Sequence, residues 1–179
     1  MGFLYLKGGI LMNKTTKLIK AGFFISLALL IPYIFHSAGL AGAIFLPMHL
    51  PVLLAGFILG KKYGLAVGFI SPILSSILTD MPPLYPTSFA MAFELATYGF
   101  ITGLLYNDKK MNIFTSLILA MLFGRFVSAI ANILLLNFVG KKFILKAFLA
   151  SAFITPIWGI IIQLILIPAV VNIYKKRVG

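Results

Sequence analysis

Residues 45–86 read FLPMHLPVLLAGFILGKKYGLAVGFISPILSSILTDMPPLYP, and this stretch decides the fold. Lys61 and Lys62 separate two hydrophobic runs, and each run predicts a helix at membrane depth. Small residues recur at about every fourth position of the second run and predict close contact with another helix; they are Gly64, Gly68, Pro72, Ser75, Ser76 and Thr79. Residues 80–86 are too proline-rich to continue a helix, so they form a rigid connection.

The first of these runs begins with Pro47, His49 and Pro51. A proline in the first turn of a helix costs nothing, because its missing N–H would have no partner there. Pro51 is predicted one turn deeper, where it removes a backbone hydrogen bond and bends the entry of the helix. Two helices with irregular, polar ends on the same side suggest the mouth of a binding site.

The composition is that of an integral membrane protein. Hydrophobic residues make up 61% of the 179 residues and charged residues 10%, which leaves too little polar surface to cover a soluble globule. The mean hydropathy of +1.11 agrees with this interpretation. The chain has no cysteine, which excludes disulfides, thiol nucleophiles and cysteine metal sites. The net charge of +12 comes from basic residues between hydrophobic runs, so it indicates membrane topology and not nucleic-acid binding.

Six hydrophobic segments predict an all-α membrane protein, a compact bundle of six transmembrane helices. They cover residues 17–35, 45–60, 63–79, 89–106, 112–136 and 147–173. The second and third are short for a full crossing, so we expect their ends to continue into loops buried by protein. No segment shows the alternation typical of a membrane barrel. We expect one transmembrane domain over residues 15–179.

The N-terminal residues 1–14 form a predicted tail. Lys7, Gly8 and Gly9 precede Met12, and their codons resemble a purine-rich ribosome-binding site that has been translated. Met12 is therefore our hypothesis for the natural start. An ordinary N-terminal tail is the alternative.

The distribution of basic residues predicts that both termini are cytoplasmic. The inner side then carries eleven of them: Lys7, Lys14, Lys17, Lys20, Lys61, Lys62, Lys109, Lys110, Lys175, Lys176 and Arg177. The outer side carries three, Lys141, Lys142 and Lys146. The outer connections are then residues 36–44, 80–88 and 137–146. The inner connections are short and contain no nucleotide-binding motif.

Two charged residues lie at membrane depth within predicted helices, away from the lysines at the helix ends. Glu94 and Arg125 each cost at least about 2.5 kcal/mol at membrane depth, so each needs a partner or a function. Arg125, Ser128 and Asn132 share one face of the fifth helix, and a second stripe on the sixth comprises Ser151, Thr155, Gly159 and Gln163. Together these residues predict one polar cavity that opens to the outside.

The candidate substrate-binding residues follow from this cavity: Arg125, Asn132, Glu94, Gln163, Thr155, Trp158, Tyr85 and His49. Trp158 and Tyr85 are expected as amphipathic walls. Several alternatives stay open. Glu94 and Arg125 could form a purely structural pair, Trp158 could be an interface aromatic, and the Gly22-xxx-Ser26 and Gly99-xxx-Gly103 spacings favour helix packing. The two histidines, expected to be exposed and isolated, make a poor metal site, and we predict no catalytic residue, metal or cofactor.

The stretch quoted above, followed by FELATYGFITGLLY, resembles the substrate-binding S component of energy-coupling factor (ECF) vitamin transporters. The resemblance covers about residues 15–175 and is greatest to the pantothenate-type members. It implies a vitamin site near the outer side of a bacterial cell membrane, gated by the first outer loop and the loop after the third helix. It also implies partners, namely a transmembrane coupling protein and two ATPase subunits.

Family members dock on the coupling protein through an Ala-xxx-Ala spacing on the first helix. This chain offers Gly22-xxx-Ser26 instead, beside Ala21 and Ala28, so the docking residues implied are Gly22, Ser26 and Ala21. The ligand could also be folate, pyridoxine, hydroxymethylpyrimidine or riboflavin. A small secondary carrier would need internal repeats and a proton relay, and a membrane enzyme would need a catalytic set; the chain shows neither.

Overall fold

The computed structural model describes residues 13–178, and this part of the chain is helical without any β-strand. It contains eight α-helices: α1 Lys14–Ser37, α2 Gly42–Phe45, α3 His49–Leu59, α4 Lys61–Thr79, α5 Phe89–Thr102, α6 Ile113–Phe138, α7 Leu145–Leu149 and α8 Ile157–Val178. Two wider π-helical turns, Gly103–Asp108 and Ala150–Ile154, follow α5 and α7. Residues Leu84–Ser88, before α5, form an irregular turn in which Tyr85 has an extended backbone with φ of -125° and ψ of 134°. The predicted tail and the proposed start at Met12 lie outside the described residues, apart from Asn13 and Lys14.

Six spans of the described chain are long and apolar enough to cross a membrane, which confirms the predicted fold. They are Lys14–Ser37, Gly42–Leu59, Lys61–Thr79, Leu84–Asp108, Ile113–Phe138 and Ile157–Arg177. Because successive spans run in alternating directions, their lysine-rich ends lie together at one end of the bundle. Two contacts join them there. Lys61 pairs with Asp108 at 2.6 Å, and the Lys20 ammonium donates a hydrogen bond to the Tyr174 hydroxyl at 2.9 Å. We call this the lysine-rich end.

The second span is interrupted near its start, which the sequence did not predict. The helix is interrupted at residues 46–48, between α2 and α3. Leu46 has a left-handed backbone there, with φ of 49°. Because α3 begins at His49, Pro47 lies before the helix and Pro51 lies within its first turn. The N–H that Pro51 lacks would have had no helical partner. The predicted bend at Pro51 is therefore wrong, and the break lies at Leu46.

The predicted sixth helix, residues 147–173, is two elements. α7 and its π-helical turn end at Ile154, and α8 begins at Ile157. Pro156 lies between them and has no backbone N–H to continue the hydrogen-bonding pattern of the preceding turn. The stripe of polar residues predicted along one continuous helix is consequently divided at this point.

Glycines hold the three central helices together at the lysine-rich end. A side chain on Gly64 or Gly68 of α4 would collide with the backbone of α5, at Gly99 and Leu95 respectively. A side chain on Gly99 would meet the backbone of Gly64, and one on Gly103 would meet that of Lys61. These contacts confirm the packing predicted for the small-residue stripe of α4 and for the Gly99-xxx-Gly103 spacing.

Polar contacts close the same end of α3, α4 and α5. The Asn107 side chain donates to the carbonyl oxygens of Gly56 and Phe57, at 3.2 and 3.0 Å, and so satisfies the end of α3. The Lys61–Asp108 pair joins the start of α4 to the end of the span that contains α5. α1 packs on α3 and α4, α6 on α5, and α8 on α2 and α3.

Two connections at the end of the bundle opposite the lysine-rich end differ in how they are held. Ser75 donates to the Met81 carbonyl at 2.8 Å, Ser88 to the Pro72 carbonyl at 2.8 Å, and the Tyr85 hydroxyl to the Leu135 carbonyl at 2.7 Å. These bonds tie residues 80–88 to α4 and α6. Within the described chain, residues 38–48 have only local backbone hydrogen bonds.

Candidate functional site

A cavity of about 670 Å³ opens at the end of the bundle opposite the lysine-rich end. Its wall is formed by the end of α1, residues 42–49, the end of α4, residues 81–83, the start of α5, the second half of α6 and residues 148–152. Four of the predicted substrate-binding residues line it: His49, Glu94, Arg125 and Asn132. The cavity is therefore the polar cavity that the sequence predicted, with a partly different lining.

A group of charged and polar side chains lies at the inner part of this cavity. Arg125 Nη1 donates to Glu94 Oε1 at 2.5 Å, and the Tyr98 hydroxyl donates to the same oxygen at 2.9 Å. Glu94 and Tyr98 are four residues apart on α5, so they share one face of the helix. Gly124 of α6 leaves the room in which the Tyr98 ring packs. The sequence left open whether Glu94 and Arg125 pair with each other, and the structure shows that they do.

His49 belongs to the same group, although we expected it to be exposed and isolated. It is only 3% exposed, and its Nε2 lies 3.6 Å from Glu94 Oε1, longer than a hydrogen bond. Neither ring nitrogen has a hydrogen-bond partner among residues 13–178. The expectation failed because the break at Leu46 turns the start of α3 into the bundle. Glu94 and His49 are two possible metal ligands, and no third one joins them in the described chain.

Hydroxyl and amide groups continue along the wall. Asn132 donates to the Ser128 carbonyl at 2.8 Å, and its amide oxygen has no partner in the part of the chain described. Ser75, Thr79 and Ser151 also line the cavity. We assigned Ser75 and Thr79 only to helix packing from the sequence. Their position at the end of α4, next to the proline-rich connection, was the signal for a second role.

Gln163 lies in a smaller, adjoining cavity of about 180 Å³. Its side chain is fully buried, and neither amide atom has a hydrogen-bond partner within residues 13–178. Leu46 and Arg125 line both cavities and therefore lie between them. A buried amide without partners is costly, so this side chain is suited to bonding a bound molecule or water.

Three predicted residues do not line either cavity. Trp158 is 61% exposed on the outer surface of α8, and Tyr85 is 42% exposed with its hydroxyl bonded to Leu135. Thr155 is exposed beside the break at Pro156. The predicted amphipathic walls are therefore wrong for both aromatic residues. Trp158 was placed on a continuous sixth helix, and the Tyr85 hydroxyl is bonded to the backbone of α6 instead of lining the cavity. Apolar side chains of Met48, Met91 and Phe148 line the cavity instead.

The predicted docking residues divide between two faces of α1. Gly22 and Ser26 are exposed, and no atom lies within 4 Å of the position that a Gly22 side chain would take. The Ser26 hydroxyl bonds the Gly22 carbonyl at 3.0 Å. Ala21 is buried in the core and does not face the surrounding membrane. The Gly22-xxx-Ser26 spacing therefore serves no packing against other helices among residues 13–178.

Comparison with known families decides what kind of membrane protein carries this cavity. The profile of the family described as "ECF transporter, substrate-specific component" matches residues 16–171. The chain belongs to this family. No curated protein and no solved structure gives a significant match.

Membership fixes the general role of the chain. It is the substrate-binding subunit of an ECF transporter, an integral membrane protein that confers specificity on transport and is not an enzyme. Such a subunit binds a small molecule and associates with the ECF module, which consists of a transmembrane component and ATPases. The 670 Å³ cavity is the candidate site for that molecule.

Proposed function

We propose that this protein binds a carboxylate-bearing vitamin such as pantothenate in the 670 Å³ cavity, for ATP-driven uptake. The observation that carries the proposal is Arg125, a guanidinium that lines the cavity at membrane depth. A fixed guanidinium in a pocket of low dielectric recognises a carboxylate through paired, charge-assisted hydrogen bonds. The cavity volume lies in the range of sites for small molecules, about 300–1,000 Å³.

Arg125 keeps donors for a ligand although it is paired. A guanidinium has five N–H donors, and the hydrogen bond to Glu94 uses one of them. Glu94 repels a second carboxylate at this position, whereas the positive charge of Arg125 attracts it. Binding therefore requires the ligand and Glu94 to share the guanidinium, or the ligand to displace Glu94.

The remaining candidates suit the other parts of such a molecule. The amide groups of Asn132 and Gln163 can bond hydroxyl and amide groups, since each has atoms without partners among the described residues. His49 adds two unpartnered ring nitrogens beside Glu94. Met48, Met91 and Phe148 offer apolar surface in the places we first assigned to Tyr85 and Trp158. Thr155 has no part in this arrangement.

We further propose that the subunit lies in the bacterial cytoplasmic membrane as a single domain over residues 15–179. Both termini are then on the cytoplasmic side, and the cavity faces outward. Uptake requires the coupling protein and two ATPases, because the chain has no nucleotide-binding motif of its own. Gly22 and Ser26 supply the docking face on α1, since both are exposed and small.

Titration calorimetry of the purified protein in nanodiscs tests the substrate. Pantothenate is compared with pantothenol, which carries a hydroxyl in place of the carboxylate. Loss of charge-assisted hydrogen bonds of about 1.5–3 kcal/mol predicts that pantothenol binds about 10- to 100-fold more weakly. Equal affinities would contradict recognition of the carboxylate. Mass spectrometry of the molecule that co-purifies with the protein would then identify another vitamin.

A further inference from the structure

Three lysines stand apart from the charge pattern of the rest of the chain. Lys141 and Lys142 lie between α6 and α7, and Lys146 lies within α7, at the opposite end of the bundle from the other lysines of the described chain. All three are exposed, and none forms an ion pair with a carboxylate of residues 13–178. Lysine on this side opposes the positive-inside tendency, so topology does not account for these residues.

This lysine segment joins α6 to α7, and both helices contribute residues to the wall of the large cavity. Asn132 precedes it and Phe148 follows it, and both line the cavity. Lys146 is two residues before Phe148 in α7, and side chains two residues apart point to different sides of a helix. None of the three lysines lines the cavity itself, so their charge acts through solvent. Since the screening length is about 30 Å at 0.01 M salt, this charge acts on solutes that approach the mouth at low salt.

The opposite side of the mouth carries one negative charge. Asp80 is exposed between Thr79 and Met81, which both line the cavity. It is the single carboxylate of the outer connections, residues 38–48, 80–88 and 139–144. The lysines outnumber it, so the mouth is positive overall. Because its charge is opposite to that of the lysines, removing the charge of Asp80 should have the opposite effect to removing theirs.

We propose that Lys141, Lys142 and Lys146 form a cationic rim that concentrates small anionic solutes at the mouth of the cavity. Clusters of one sign beside a low-dielectric cleft raise the local concentration of oppositely charged molecules and their association rates. The chemical class attracted is a small organic anion, a carboxylate above all. Its contribution to uptake rests on the proposed function, whereas the enrichment of anions at the mouth does not.

Spin labelling measures this enrichment without knowledge of the ligand. The chain has no cysteine, so Thr87→Cys gives a single labelling site on the cavity wall. Collision rates are measured in zwitterionic nanodiscs with the anionic chromium oxalate complex and with the neutral nickel ethylenediaminediacetate complex. We expect the anionic complex to be enriched about three-fold or more at low salt, and the enrichment to vanish near 1 M salt, where the screening length is about 3 Å.

Matched variants assign the effect to the rim. Replacing Lys141, Lys142 and Lys146 together with Gln is expected to lower the enrichment at Thr87 to near the high-salt value. Asp80→Asn is expected to raise it. Neither change should alter the enrichment at a label on Thr16→Cys, which lies at the lysine-rich end. Enrichment that persists after the triple substitution would overturn the proposal, and so would an effect that appears only with anionic lipid, because the lysines would then bind headgroups.

Association kinetics connect the rim to the proposed substrate. If pantothenate binds, the triple substitution should lower its association rate constant about five-fold at low salt and leave the dissociation rate constant unchanged. The rate for pantothenol should not change. Absence of pantothenate binding in the unsubstituted protein would count against the proposed substrate alone, because the collision measurements still decide whether the rim attracts anions.

Discussion

The two ends of α3, α4 and α5 show opposite kinds of packing. At the lysine-rich end, Gly64 and Gly99 bring two helix backbones into direct contact, and Asn107 and the Lys61–Asp108 pair close the remaining gaps. At the other end, larger and polar side chains of the same helices line a 670 Å³ cavity. The same three helices are therefore held at one end and separated at the other. We infer that the glycine contacts at the lysine-rich end stabilise the packing of these helices, so that a cavity can form at the other end.

The largest expected effect comes from filling a glycine contact. Gly99→Leu places a side chain against the backbone of Gly64, which cannot move without separating α4 from α5. We expect a loss of more than about 3 kcal/mol, seen as little folded protein in size-exclusion chromatography in detergent. Gly22→Leu is the matched control, because its side chain meets open space. Equal stability of the two variants would contradict the difference between the ends.

Gly22→Leu should nevertheless abolish uptake. If the exposed face with Gly22 and Ser26 docks on the coupling protein, a leucine prevents the close approach of the two helices. Uptake by cells with the complete transporter is compared with ligand binding by the purified variant. We expect binding to be retained and uptake to be lost. Loss of both together would assign Gly22 a role in the fold or the cavity.

Substitution at the inner part of the cavity should affect binding more than stability. Arg125→Lys keeps the positive charge but cannot reproduce the paired hydrogen bonds, so we expect about ten-fold weaker pantothenate binding in calorimetry. Glu94→Gln should weaken binding less, or tighten it, since it frees the guanidinium.

The arginine has a purely structural role if the dissociation constant of Arg125→Lys is unchanged and only its thermal stability falls. In that case the charge of the ligand is recognised elsewhere in the cavity. Both measurements on the same preparation of each variant distinguish these outcomes.

The two outer connections should respond differently to ligand. Residues 38–48 have only local backbone hydrogen bonds in the described chain, whereas side-chain bonds tie residues 80–88 to α4 and α6. Spin labels at residues 37–43 should lose mobility when ligand is added, while labels at residues 81–83 change little. Equal mobility of the first loop in both states would contradict a gating role.

The smallest effect is expected from Tyr85→Phe. This change removes the hydrogen bond from the Tyr85 hydroxyl to the Leu135 carbonyl and keeps the ring. We expect a loss of about 1 kcal/mol and greater mobility at residues 81–83, measured by spin labelling. Trp158→Phe, at an exposed position of α8, is the control that should leave the mobility unchanged.

Local patterns were enough to predict most of the fold. Length and hydrophobicity predicted the six spans, and the four-residue spacing of Gly64 and Gly68 predicted a close helix contact, which the structure shows to be with α5. These features depend on neighbours along one helix and on the cost of polar backbone in a membrane. The breaks at Leu46 and Pro156 were missed, because hydrophobicity stays high across both.

The missed breaks account for the errors at the site. His49 was expected to be exposed because it was placed near the water interface, whereas the break at Leu46 places it in the bundle. Trp158 and Thr155 were expected in the cavity because both were placed on a continuous sixth helix. Arg125, Asn132 and Glu94 were placed correctly in the cavity wall, since α5 and α6 are continuous where these residues lie.

The sequence by itself determined that this is a six-span helical membrane protein with charged residues at membrane depth. Burial in lipid penalises polar groups wherever they occur, so composition and spacing suffice for that conclusion. Only the tertiary structure decided that Arg125 and Tyr98 donate hydrogen bonds to Glu94 Oε1 and that His49 lies close to the same atom. It also decided that the Gln163 side chain has no hydrogen-bond partner among the described residues. Those contacts join residues from different helices, and their geometry depends on where each helix breaks and how closely its glycines allow it to approach the next.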